Sequence, residues 1–207
     1  MKHKTNWVID HMNTEISFTV SHLMIDNVTG SFKHYDAIIH SIEDDLTTVE
    51  VDMCIDAASI DTGEKERDEY LKGSDFLDTD NHSCILFNSE SIKKTDRDGF
   101  YELYGALTIK GVSETLKLDL EVTEMTKDIT GKERVGLKAT GRIKRSNWGL
   151  NWNTIITAGG LMVDEEISIT CNIQIVKGTD KGLMIEDTSK REIRIPSLAG
   201  ISYRLSR

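Results

Sequence analysis

The stretch EISFTVSHLM, residues 15–24, places Ile16, Phe18, Val20, His22 and Met24 on one side of an extended chain and Ser17, Thr19 and Ser21 on the other. Successive side chains of a strand point to opposite faces, so this period of two reads as a strand with one buried and one wet face. The same period recurs outward along the chain. It carries Val49, Val51, Met53 and Ile55, then Tyr101, Leu103, Gly105, Leu107 and Ile109. Leu116, Leu118, Leu120 and Val122 follow, with Lys117, Asp119 and Glu121 facing water. Val135, Leu137, Ala139 and Ile143 form another such set, and Ile167, Ile169, Cys171, Ile173 and Ile175 the last. With the run GSFKHYDAIIH from Gly30 and the run CILFNSESI after Ser83, the count reaches about eight strands, the number whose closed sheet encloses one small ligand. Lys110-Gly111-Val112 and Asp128-Ile129-Thr130-Gly131 are short and turn-like, which favours antiparallel pairing.

The chain of 207 residues suits one domain with a sizeable core. A formal net charge of -10 argues against capture of nucleic acid or of an anionic membrane surface, both of which favour basic patches. MKHKTNWVID has basic residues with no apolar run behind them, and nowhere do 18 uncharged apolar residues follow one another. A soluble, cytoplasmic protein with no integral membrane segment is therefore expected. Cys54, Cys84 and Cys171 show no C-x-x-C spacing. They read as reduced, partly buried thiols, with a catalytic or metal-binding cysteine as the alternative.

One segment breaks the period: SIDTGEKERDEYLKGSDFLDTDNH, residues 59–82. Asp61 and Glu64 have the spacing of a capping box, Asp68 and Lys72 that of a helical ion pair, and Gly73 offers a stop. A short helix is predicted here. At about 100° per residue its acids Glu64, Glu66, Asp68 and Glu69 scatter round the helix, which is the pattern of a solvated surface and not of a paired acid/base site. His34 and His40 are too far apart along one strand to share a metal ion. His22, on an apolar face, reads as a hydrogen-bonded core residue, a polar anchor for a ligand, or a metal ligand. No nucleophile elbow, zinc-protease motif, phosphate loop or dinucleotide fingerprint occurs. The reading is of a protein without catalytic residues, metal or cofactor.

Six segments together resemble the YceI-like family of lipid-binding proteins, lipocalin-like barrels associated with polyisoprenoids. They are WVIDHMNTEISFTVSHLMI, VTGSF, SIDTGEKERDEYLKGSDFLD, YGALTIKGVSETLKL, RIKRSNWGLNWN and GGLMVDEEISI. The third is the most specific. Departures are small: Tyr70 stands where histidine is common, Leu77 where phenylalanine is usual, Ser83 where proline often begins a strand, and Asn147-Trp148-Gly149 replaces Asp-Phe-Gly. The resemblance implies an all-β, eight-stranded antiparallel barrel with a short helical insertion over residues 1–177, a homodimer, and binding in place of catalysis. It also implies that Arg67, Asp68, Asp75 and Asp78 fix the helix and its loop while Leu71, Phe76 and Leu77 turn toward the barrel.

The expected binding set joins this resemblance to the alternation: Phe18, Val20, Phe32, Val51, Met53, Ile55, Phe87, Leu103, Leu107, Leu118, Leu137 and Ile169, with Phe76 and His22. These side chains offer few hydrogen bonds, so a guest should be largely hydrocarbon. Trp148 and Trp152 either line the mouth or plug the end. The implied function is binding, storage or transport of an isoprenoid or related long-chain lipid. The alternatives are an interaction protein with a filled barrel and a hydrolase using the acids of 59–82. Residues 178–207 lie beyond the resemblance; six Lys/Arg against four Asp/Glu, a local +2, favour docking on the acidic barrel or its partner over a flexible tail.

Overall fold

A computed structural model describes residues 3–22, 26–150, 163–178, 191–194 and 202–205. Its strands are β1 (Lys4–Ile9), β2 (Glu15–His22), β3 (Asp26–Phe32), β4 (Tyr35–Ile42), β5 (Asp45–Asp56) and β6 (Ile60–Asp61). Helix α1 (Lys65–Lys72) follows, then β7 (Cys84–Lys94), β8 (Phe100–Ile109), β9 (Val112–Val122), β10 (Thr126–Lys127), β11 (Glu133–Lys144) and β12 (Val163–Lys177). Beyond the barrel, β13 (Arg191–Arg194) and β14 (Ser202–Leu205) pair, among the described residues, only with each other. Antiparallel pairing runs β1–β4–β5–β7–β8–β9–β11–β12, and β12 returns to β1, closing an eight-stranded barrel.

β12 spans two partners, Ile9↔Ile175 on β1 and Phe18↔Ile169 on β2. β1 and β2 are thus two halves of one bent strand. The bend is a 3₁₀ turn, His11–Asn13, and the Asp10 carboxylate accepts hydrogen bonds there from the Met12 N–H and the Asn13 amide. β3 and β4 are bent likewise, so the run from Gly30 is two strands and not one. β1 escapes the sequence pattern because only Trp7 and Ile9 of its six residues are buried, too few to display a period.

Packing follows the alternation. Leu103, Leu107, Ile109, Leu116, Leu118 and Leu120 are buried inside, while Lys117, Asp119 and Glu121 are exposed. Gly105 leaves room for the Phe87 ring: a Cβ there would lie 2.7 Å from Phe87 Cζ and 2.5 Å from the Asn88 carbonyl oxygen.

The helix forms where expected but is held differently. Asp61 accepts from the Gly63 N–H at 2.9 Å and pairs with Lys33, and Glu64 takes the N-cap position without capping through its side chain. The Asp68 carboxylate turns back to the Thr62 N–H at 2.9 Å and to the Thr62 hydroxyl, leaving Lys72 to pair with Glu69 at 3.1 Å. A half-buried carboxylate gains more from two donors in the adjoining loop than from one ammonium on a long, partly solvated side chain. Arg67 completes the knot, donating to the Thr62 carbonyl and hydroxyl. In the loop behind, Asp78 adopts φ 50° and accepts from the Asn81 amide, whereas Asp75 is exposed.

The cysteines also depart from expectation. Cys54 on β5 and Cys84 on β7 form a disulfide, with Cα atoms 5.8 Å apart. Register explains it: Asp56 faces Cys84 and Cys54 faces Leu86, so the two cysteines are diagonal neighbours despite a sequence separation of 30.

Candidate functional site

The inward faces do not fill the barrel. They surround a cavity of about 190 Å³ whose wall is hydrocarbon apart from Ser17, Met53, Tyr101 and Cys171. The strands contribute alternate residues: Val51, Met53 and Ile55 from β5, Tyr101, Leu103, Leu107 and Ile109 from β8, and from β7 Ile85 and Phe87, then Ile92 beyond a register shift between Ser89 and Ser91. Leu118 on β9, Leu137 on β11 and Ile169 on β12 continue the ring. Phe18 and Phe32 meet across β2 and β3 with ring centroids 5.7 Å apart. Phe76 reaches the cavity from the loop after α1, beside Leu77.

Two expected residues take other roles. Val20 is buried but lies off the cavity wall, further along the β2–β3 hairpin. Trp148 belongs to a 3₁₀ turn, Arg145–Trp148, is 2% exposed, and donates its indole N–H to the Leu107 carbonyl at 3.1 Å. It is a structural plug and not a mouth residue, because a buried indole N–H must find an acceptor and the end of β8 supplies one. The His22 side chain and Trp152 lie outside the described residues.

Among the described residues, the wall is most deeply buried at the end beside Trp148. Arg145 donates to the Leu150 and Asp164 carbonyls, holding Leu150 against the cavity, and Lys110 donates to the Ser74 carbonyl, tying the loop of Phe76 and Leu77 to the β8–β9 turn. Phe76, Leu77, Ile85, Ile109 and Leu150 are all buried there. The wall is less buried at the opposite end, at Leu46, Val49, Ile92, Tyr101 and Val122, and along β2, β3 and β12 at Phe18, Phe32, Ile167 and Ile169.

Among the described residues no charged side chain lines the cavity. Ser17 donates its hydroxyl to the Thr170 carbonyl at 3.0 Å. Burial pushes the Cys171 thiol up to about 12, so it enters the wall as a neutral apolar group. The alternation revealed this side chain's direction, but its place in a void was beyond the sequence. Among the described residues no three His, Cys, Asp or Glu side chains gather as a metal site, and no helix is long and apolar enough to cross a membrane.

A closed antiparallel barrel around a largely apolar cavity is an architecture with room to enclose a small guest. The chain belongs to the YceI-like domain family, which matches residues 7–175. The UPF0312 protein SA2479 of Staphylococcus aureus (strain N315) is 30% identical over 171 residues, covering 82% of this chain and 96% of that protein. Among solved structures, Burkholderia cenocepacia BcnA superposes with a TM-score of 0.69 at 23% identity, over 80% of this chain and 98% of its own. The Campylobacter jejuni YCEI protein does so with 0.66 at 28% identity, over 77% and 90%. A polyisoprenoid binding domain from Saccharophagus degradans, implicated in plant cell wall breakdown, gives 0.66 at 15% identity, over 83% and 98%.

Proposed function

We propose that this protein binds an isoprenoid or related long-chain lipid inside the barrel, as a store or carrier. The observation that carries the reading is the uncharged cavity wall, which offers a guest almost nothing but apolar contact. The polyisoprenoid-binding Saccharophagus domain shares the fold and lends support. Burial contributes about 0.8 kcal/mol per methylene, so one five-carbon unit supplies on the order of 4 kcal/mol before ordering costs. We read the protein as a binder and not a hydrolase, since Asp61, Arg67, Asp68 and Asp78 are engaged in local structure and none of them reaches the cavity. A homodimer and a cytoplasmic location are part of the proposal. Disulfides persist mainly in oxidising surroundings, so a cytoplasmic location predicts Cys54 and Cys84 as free thiols in protein alkylated at the moment of lysis, and an intact Cys54–Cys84 disulfide there would overturn it.

The deciding experiment is organic extraction of purified protein followed by mass spectrometry. A lipid at close to one molecule per chain is expected. Protein that yields none, and takes up none from prenol-containing vesicles, would sink the reading.

A further inference from the structure

Outward side chains of a barrel wall ordinarily face water, as Lys117, Asp119, Glu121, Lys138 and Arg142 do here. The outer face of β4 and β5 is an exception. His40 is 7% exposed, Asp52 6%, Asp56 5% and Cys54 0%, although their inward neighbours Ile39, Met53 and Ile55 line the cavity. The register brings these outward residues together: His40 faces Glu50, Ile38 faces Asp52, and Asp36 faces Cys54. Burial also raises the carboxyl of half-buried Asp36, while Glu50 at the rim of this wall is exposed. Asp52 accepts from the Asn88 amide at 2.9 Å, and an ionised carboxylate can accept several such bonds at once.

One further element lies against this wall. β13 packs beside β4 while pairing only with β14 among the described residues. A two-stranded hairpin alone is marginal in water and needs a surface to pack on. Its sequence complements the wall: REIR and SYRL carry Arg191, Arg194 and Arg204 against Glu192 alone, whereas the wall carries Asp36, Glu50 and Asp52.

We propose that the outer wall of β4 and β5 is a docking surface for the chain's own C-terminal hairpin, seated through arginine–carboxylate pairing. Arginine suits the role because its planar fork can satisfy both oxygens of a carboxylate withdrawn from water. The seat is independent of the lipid reading, since it lies on the opposite face of the sheet from the cavity.

Hydrogen–deuterium exchange on the full chain tests it. The amides of 191–194 and 202–205 should exchange at least tenfold more slowly than unprotected amides. Arg191→Glu with Arg194→Glu, and separately Glu50→Lys on the wall, should each abolish that protection while leaving β8 and β9 unchanged. The wall variant does not alter the hairpin's own sequence, so its effect reports docking. Hairpin amides unprotected in the wild type, or equally protected in both variants, would overturn the proposal. Protection that falls on dilution would place the hairpin on a second copy and overturn the seat within one chain.

Discussion

Cys171 lies on β12 between Ile169 and Ile173. Its place in the alternation with Ile169 and Ile173 was readable, and it puts the sulfur on the cavity wall. With the thiol pushed up to about 12, the reactive thiolate is scarce at pH 8. Iodoacetamide should therefore label no cysteine in the native protein, one after unfolding, and three after unfolding with reduction, as read by intact mass. Labelling of the native protein, or three labels without reduction, would contradict the assignment. The disulfide itself was unreadable because a diagonal pair depends on strand register, which the spacing of cysteines does not encode. Gly105 makes a similar point: its position was visible, but the ring over it was not. Gly105→Ala must displace the Asn88 backbone or Phe87, and should lower stability by about 1–3 kcal/mol in chemical denaturation.

At the scale of elements, periodicity located the long strands, and cap, pair and stop spacings located α1, while the bonds holding them were less legible. Helical spacing suggested that Asp68 would pair with Lys72, yet it serves Thr62, because a loop two residues ahead of the cap folds back on the helix. Asp68→Ala should therefore cost about 1–3 kcal/mol by leaving the Thr62 donors unmatched, whereas exposed Glu66→Ala should stay within about 0.5 kcal/mol. Equal losses in thermal melts would refute the distinction. Arg134 on β11 links three more elements, pairing with Asp10 at the β1 bend, Asp128 before β11, and Gln174 on β12. Asp10 is held below the usual carboxylate range first by the Asn13 amide and then by Arg134, and Asp128 first by the Thr130 hydroxyl and then by Arg134. Depressed carboxylates stabilise the fold above their unfolded values, about 3.9, and lose that contribution as pH falls through the folded values. Arg134→Met should be less stable than the wild type at pH 7, and the difference should shrink toward about pH 3, below the unfolded carboxylate value. A deficit constant with pH would show packing to be the cause.

For the whole molecule, the direction of each wall residue was legible, but whether opposite walls meet was not, since a void depends on barrel radius and on the plugs at its ends. The Trp148 plug was one of two open readings, and only the Leu107 carbonyl at the end of β8 decides it. The cavity, about 190 Å³, can be set beside an engineered void of roughly 150 Å³ that holds benzene, so it encloses on the order of eight carbon atoms as it stands. On the proposed function, a longer lipid must then thread out through the less buried end near Tyr101 or widen the barrel, and enclosed volume is the quantity to test. Val51→Phe tests this because Val51 is half-buried, lines the cavity, and keeps its backbone N–H bonded to the Ser89 hydroxyl whatever its side chain. A phenyl group directed into free space uses up volume without straining neighbours, while one forced into a filled core costs about 1–3 kcal/mol. The variant should give an unchanged β-type circular dichroism spectrum and near wild-type stability, with less or shorter lipid in mass spectrometry of the same preparation. If it is instead destabilised, and the wild type never carried lipid, the interior acts as a packed core and the function lies on the outer surface.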